Sequence, residues 1–546
     1  MKVRDDIKRA VQDALRNLGL EDEESGIVLE RPREATHGDI STPVAMSLAK
    51  QLRRNPLEIA QMIATSLSLS PDIVSSVEVL KPGFINFRIA DPALRENLPR
   101  VVEAGDRYGS SQAGVGTSVL VEYVSANPTG PLVVVSARAA AVGAAIVNLL
   151  RFTGYRVEAE YYVNDHGGQV SALANSFRYR LRERFGVVGA GEEIGAYPGD
   201  YLERIAAAVP ENVARGILDR NEPDAAKYAI NEILSEIDAD LETFGVVFDN
   251  RFMESTLHPG AVSAALEFFL GSGSTYEDEG AVYFRSSDMG DDKDRVLVKS
   301  DGDPTYFLAD IAYHRDKLDR GFNRAIDLLG PDHHGHVPRM KAAMSVLGAD
   351  RDWLDVLIVG WVRLLEDGQP ASMSKRKGEF VTLRELVDDV GVDVAKYFFL
   401  MRRSNSPLDF DLTLARKQSD ENPVYYVQYA HARISSVIRF AREQGYDYSA
   451  GGEDLSLLAT EAERQLMLHL LYFPQVVEGS AVSKEPHRLT VYAQELATTF
   501  HQFYHECRIV SDDRALSSAR LLLADATRQV LKNTLTLLGV SAPASM

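Results

Sequence analysis

Between Val119 and Val124 the chain is apolar at every position but one: Val119, Leu120, Val121, the charged Glu122, then Tyr123 and Val124. A run with no polar face predicts a strand covered on both sides, as in a parallel sheet. A turn built from Asn127, Pro128, Gly130 and Pro131 follows. Beyond it Val134 to Leu150 is apolar almost all round, which predicts a helix buried in a large domain. Gly154 ends that helix, and Val157 to Val163 predicts a second strand, closing a β-α-β unit whose crossover is right-handed.

The pattern changes on either side of this unit. Towards the start, Thr42-Pro43 predicts the cap and first turn of a helix carrying Val44, Leu48 and Leu52, and Asn55-Pro56 opens a second helix. After the Pro82-Gly83 turn, Phe84 to Ile89 alternates, with Ile85, Phe87 and Ile89 on one face of a strand. A glycine-rich connection, Gly109 to Gly116, separates this small α/β module from the β-α-β unit. Residues 186–250 read as an inserted, acidic helical region. A hairpin is expected from Val282–Phe284 and Val296–Val298, and parallel strands resume at Ile326–Leu329 and Val356–Val359. From about Asp388 strands largely disappear, and helices such as Tyr425–Phe440 and Ala519–Leu538 predict a bundle ended by Gly539. The fold class is therefore α/β: a Rossmann-like parallel-sheet domain (113–387, with an insertion around 186–300), a small N-terminal α/β module (1–112) and an all-α C-terminal bundle (388–546).

Composition narrows the function. A chain of 546 residues with 45% hydrophobic content supports several cores. The single cysteine, Cys507, excludes a disulfide framework and a cysteine-rich zinc site, and fits a reducing cytoplasm. No leader segment and no apolar stretch long enough to cross a bilayer is expected, so no membrane partner is either. A net charge of −20 argues against coating nucleic acid by bulk charge, yet leaves room for local basic faces at Lys50, Arg53 and Arg54 and at Arg402, Arg403, Arg416 and Lys417.

Four places carry chemistry. Glu122 stands in a buried strand and Asp310 in YFLADIAY, one helical turn after Tyr306. Buried carboxylates need a cation, either internal or on a ligand, and a guanidinium suits paired carboxylates. The turn from Ser125 to Ser136 leads from a strand into a helix N-terminus, where unpaired N–H groups favour a phosphate. LLGPDHHGH (328–336) follows a strand and so falls at the ligand-binding edge of the sheet. Its three histidines have no cysteine or other clear ligand nearby, so no protein-bound metal is expected. SMSKRKG (372–378) is a basic Ser/Gly loop suited to a triphosphate, set before the helix start Thr382-Leu383-Arg384-Glu385.

SANPTGPL (125–132) closely resembles the first signature of class I aminoacyl-tRNA synthetases in the form used by bacterial arginyl-tRNA synthetases, and SMSKRKG resembles the second, with Ser372 in place of its first lysine. Further segments in the same order, among them GDISTPVAMSLAKQL, EYYVNDHGGQV, SDGDPTYFLADIAYHRDKLDRGF and NPVYYVQYAHARI, extend the resemblance over nearly the whole chain. It implies ligation of L-arginine to tRNA(Arg) through an arginyl-adenylate, with ATP entering as its Mg²⁺ complex, by a cytoplasmic monomer. It also implies substrate binding by Glu122, Ser125, Asn127, Tyr306, Asp310 and His333, and ATP binding by Gly130, Pro131, Gly330, Asp332, His336, Met373, Ser374 and Lys375. The family's His-x-Gly-His element falls on Val133 and Ser136, so both histidines are replaced. Catalytic roles are then expected for Lys375, for Ser136 and, as a substitute donor, for His166. A paralogue that binds tRNA or arginine in a regulatory role is the second reading.

Overall fold

The computed structural model describes residues 2–20, 26–32, 34–189, 191–219, 222–371, 381–448 and 452–546. At its centre lies a five-stranded, wholly parallel sheet in the spatial order Leu354–Ile358, Arg324–Leu329, Ser118–Glu122, Arg156–Val163, Asn250–Met253. The first strand in sequence is the middle one, with later units added on both sides. That arrangement opens a crevice at the carboxyl ends of Ser118–Glu122 and Arg324–Leu329, where the winding reverses. The predicted strand stops at Glu122, two residues early, because Val124 and Ser125 leave the extended region.

The helix Val134–Phe152 packs behind the sheet with twelve buried residues. At 19 residues it is long and apolar enough to cross a membrane, contrary to the expectation from sequence, but 72% of it is buried inside the fold. It also carries a fully buried Arg138, whose guanidinium donates to the carbonyls of Gly360 (2.9 Å), Ser406 (2.7 Å) and Arg403 (3.0 Å). One side chain thus ties the end of the catalytic sheet to the start of the C-terminal part. Gly360 is needed there, since a Cβ would stand 2.6 Å from the Ser406 carbonyl oxygen.

The N-terminal module is a three-stranded antiparallel sheet, Ile40–Thr42, Phe84–Ile89 and Val74–Leu80, with the helices Val44–Leu52 and Pro56–Ser66. Asn55 caps the second of these helices, accepting from the Leu57 N–H. Thr42 belongs to the strand, and Pro43 takes the cap position expected for Thr42. The C-terminal helices are Pro423–Glu443, Glu461–Ser483, His487–Glu506 and Arg514–Leu537, and the N-terminal part is bonded to the last three of them. The buried Asp39 receives Arg464 at 2.6 Å, and Tyr472 donates to the Asp39 carbonyl. A short strand, Leu408–Asp411, pairs in parallel with Val362–Glu366 beyond the point where strands were expected to end.

Candidate functional site

The parallel register sets Asp327, Glu122 and Glu160 side by side on three adjacent strands, with their side chains on one face. Neighbouring strands lie about 4.8 Å apart, so three buried carboxylates in a row repel strongly unless cations meet them. The helix Tyr306–Asp319 and the residue just after it supply those cations. Lys317 Nζ donates to Glu122 Oε2 (2.6 Å) and Asp327 Oδ1 (2.8 Å) and is fully buried. Arg320 donates to both oxygens of Glu160 (2.6 and 2.9 Å), joined by Tyr313 (2.7 Å). His314 completes the layer, with Nε2 2.7 Å from Asp327 Oδ2 and Nδ1 2.8 Å from the Asp310 carbonyl oxygen. Despite burial, Lys317 and His314 hold the Asp327 carboxyl well below the usual carboxylate range. Asp327 and Glu122 in turn raise the Lys317 ammonium above its ordinary value. The cation expected by sequence reasoning from a ligand or an internal arginine is, for Glu122, an internal lysine.

Above this layer the chain makes a strained turn. Val124 and Ser125 have φ of 70° and 37°, in the left-handed region that costs an L-residue roughly 1–2 kcal/mol and is rare for a β-branched one. Local bonds hold it: the Ser125 N–H donates to the Tyr123 carbonyl (3.0 Å), Ser125 Oγ donates to Glu122 Oε1 (2.8 Å), and Ser125 Oγ accepts from the Tyr162 N–H (3.2 Å). Strain of this kind persists only where the surrounding contacts over-determine it, as these do.

Two further carboxylates face the same crevice. Asp310 lies on its wall with 36% of its side chain reachable by solvent, yet enclosure by protein pushes its carboxyl up to about 7, reinforced by Glu122 and Glu254 and opposed by His314 and Arg339. Glu254, just past the strand Asn250–Met253, is buried and also raised, by desolvation, while Tyr162 donates to it. Tyr306, one turn before Asp310, is exposed, and its hydroxyl lies 3.4 Å from where a Gly167 Cβ would be. Ser125 is bonded to Glu122, and Asp310 lies close enough to Glu122 to interact with it, while Tyr306 reaches towards Gly167; Glu254, Lys317, His314 and Asp327 belong to the same cluster of charges. Asp327 carries the same signal in AIDLLG, a charge inside an apolar strand, that singles out Glu122. Glu254 sits in no such run, and only the fold brings it in.

A large cavity lies along the turn. Asn127, Gly130, Pro131, Val133 and Ser136 line one wall of a cavity of about 1230 Å³, and Tyr197, Tyr201 and Arg204 of the inserted region line the other. Tyr201 donates to the Thr129 carbonyl. Leu132–Val134 pairs with Val381–Leu383: Val134 N–H donates to the Val381 carbonyl (3.1 Å) and Leu383 N–H to that of Leu132 (2.8 Å). The expected helix start is confirmed by a capping box between Thr382 and Glu385. Met373, Ser374 and Lys375 lie outside the described residues; Val381 and Leu383, which follow them in sequence, are bonded directly to the signature turn.

His336 belongs with Asp310: its Nε2 is 3.7 Å from Asp310 Oδ2 and its Nδ1 accepts from Arg339, while burial pushes it down to about 3, keeping it neutral. His333 and Asp332 stand exposed on the short turn Pro331–His333 after Gly330, the two side chains 3.5 Å apart. His166 corrects its expected role. Its ring stacks on His258 at 4.0 Å and lines a separate cavity with Lys227 and Asn231, so the structure does not bring it to Val133 or Ser136. The loop after Val163 turns it aside, because Asp165 is bonded to Ser255 of the neighbouring strand's exit. Among the described residues no three His, Cys, Asp or Glu side chains converge as a metal site.

Comparison with known proteins gives the family. Residues 5–89 match the arginyl tRNA synthetase N terminal domain and residues 427–546 the DALR anticodon binding domain. The chain is 47% identical to an arginine–tRNA ligase of Citrifermentans bemidjiense over 95% of each chain. It is 46% identical to that of Symbiobacterium thermophilum over 100% of this chain and 99% of the relative. The solved arginyl-tRNA synthetase of Thermus thermophilus superposes with a TM-score of 0.80, covering 99% of both chains at 24% identity, and shares the fold. With identity of this order sustained from end to end, the chain belongs to the arginyl-tRNA synthetases, class I enzymes that ligate arginine to tRNA.

Proposed function

We propose that the guanidinium of L-arginine is received by Asp310 and Glu254. Glu122, already paired with Lys317, together with Ser125 and Asn127, holds the α-ammonium end. The observation that carries this reading is the division of charge: Glu122 has a resident cation at 2.6 Å, whereas Asp310 and Glu254 are held above the ordinary carboxylate range by enclosure. A planar guanidinium with its fork of donors relieves both acids at once. Tyr306 closes over the aliphatic stem, and His333 borders the entry.

ATP, as its Mg²⁺ complex, lies along Gly130 and Pro131 towards Gly330, Asp332 and His336, with Met373, Ser374 and Lys375 at the β- and γ-phosphates. The arginine carboxylate attacks the α-phosphate and pyrophosphate leaves; the terminal hydroxyl of tRNA(Arg) then attacks the activated carbonyl. Neither step uses a protein nucleophile, so the residues act by placing the reactants and by donating to oxygens that gain charge. Ser136 offers one such donor and Val133 none. Each missing preorganised donor costs on the order of a hundredfold to a thousandfold in rate, so Lys375 and the helix N-terminus carry more of the stabilisation here. The chain works as a cytoplasmic monomer, with 1–112 and 388–546 contacting tRNA and 113–387 holding the reaction.

The test is substrate discrimination. Citrulline, in which a neutral ureido group replaces the guanidinium, is expected to compete with arginine at least about a hundredfold more weakly, the scale of losing charge-assisted bonds to buried acids. Equal competition by citrulline ends the assignment of Asp310 and Glu254.

A further inference from the structure

The acids that face arginine rest on a deeper group. Asp327 is 2% exposed and lies in register with Glu122 on the adjacent strand. One of its oxygens accepts from Lys317, which reaches on to Glu122; the other meets His314 Nε2, and His314 Nδ1 faces the Asp310 carbonyl. Both ring nitrogens of His314 thus face oxygen atoms, which fixes the ring between the sheet and its own helix.

A buried ion network of this kind is weak support for stability by itself, because well-packed apolar residues commonly do as well. Its neighbours in the strand, Ala325, Ile326 and Leu328, show that apolar packing is available here. What distinguishes the network is where its ends emerge. One end is Glu122, bonded to Ser125 in the strained turn; the other is His314, which meets the backbone carbonyl of Asp310 one turn earlier on the same helix.

We infer that Asp327 is a positioning residue for arginine recognition: a single buried carboxylate holds Lys317 against Glu122 and His314 beneath Asp310, and so fixes the place and charge of the two acids from below. The inference rests on the assignment of Asp310 proposed above. The groups facing Asp310 are His314 on its own helix, Glu122 from the sheet, Glu254 after the edge strand, and His336 and Arg339 from the helix His336–Val346. Among them His314 and Arg339 favour the ionised carboxylate, and only His314 is held by Asp327.

Aminoacylation by the full-length Asp327→Asn and His314→Gln variants, followed across pH at saturating ATP and tRNA, tests this. Both are expected to raise KM for arginine by at least about tenfold, the scale of one charge-assisted bond, while KM for ATP stays within about twofold. The midpoint of the kcat/KM profile for arginine is expected to move to higher pH, since Asp310 loses the placement of a neighbour that favours its ionised form. A parental arginine KM and midpoint in variants that fold overturns the inference, as does an equal rise in both KM values. Should Asp327→Asn fail to fold, His314→Gln, which keeps a donor in the same helix, carries the test alone. Asp310→Asn separates the two levels. If it leaves the arginine KM unmoved, the assignment of Asp310 falls and this inference with it; if it raises that KM while the other two do not, only the inference falls.

Discussion

Lys317 lies 2.6 Å from Glu122 and belongs to the helix that carries Asp310, so the same helix neutralises one acid of the site and presents another. The sheet forces this solution, because its register places Glu122 beside Asp327 and Glu160 with all three buried. Removing the cation alone is therefore costly. Lys317→Met is expected to lower unfolding stability by about 3–5 kcal/mol in denaturant titration, the range for a buried pair that loses one partner. Lys317→Met combined with Glu122→Gln is expected to recover part of it.

The same pair bears on pH stability. Asp327 is depressed in the folded protein, so its contribution is present above the unfolded carboxylate value near 4 and is lost as pH falls through the folded one. Lys317 is raised, so its contribution is complete below the unfolded lysine value near 10 and is lost as pH rises through the folded one. Between those limits the Lys317–Asp327 pair is expected to add no slope of its own, whereas Asp310 and His336 titrate within them with opposite slopes, which thermal unfolding of the parental protein and of Asp310→Asn at a series of pH values separates.

Arginine binding is expected to show a proton signature. With Asp310 pushed up to about 7, part of the population is protonated near neutrality, and binding a guanidinium drives that proton off. Titration calorimetry near pH 6.5, in buffers of different ionisation enthalpy, is expected to report proton release that disappears in Asp310→Asn. The affinity for arginine is expected to rise between pH 6 and 8.

How much of this was legible beforehand depends on the physical signal each residue leaves. Glu122 and Asp310 stand out because a charge in an apolar run has to be satisfied, and the long core helix stands out because its apolar pattern has no polar face. The capping box at Thr382 is local chemistry and reads directly. Lys317 and His314 look like ordinary polar positions of a helix, and only the sheet register gives them a purpose. Glu254 and the His166–His258 stack depend on where two loops meet, which no local spacing encodes.

The bond between domains supports a separate expectation. Arg464 reaches Asp39 at 2.6 Å and also the Ile89 carbonyl, tying the N-terminal module to the helical bundle. Arg464→Met is expected to weaken tRNA(Arg) binding by about tenfold or more, as measured by filter retention, because it loosens the relative placement of the two parts proposed to contact tRNA. The KM for arginine is expected to stay unchanged, since neither residue touches the sheet edge.

Ser136 is the remaining side-chain donor at the two positions where the family motif has histidines. Ser136→Ala is expected to lower kcat for adenylate formation by about tenfold or more, with little change in stability, as judged by single-turnover kinetics.

The most direct measurement of the whole account is arginine-dependent exchange of pyrophosphate into ATP, run with and without tRNA(Arg) and paired with a charging assay. The account expects exchange that depends on arginine and on the presence of tRNA, together with arginyl-tRNA as product. Intact binding of tRNA and arginine with neither exchange nor charging under any condition would contradict it.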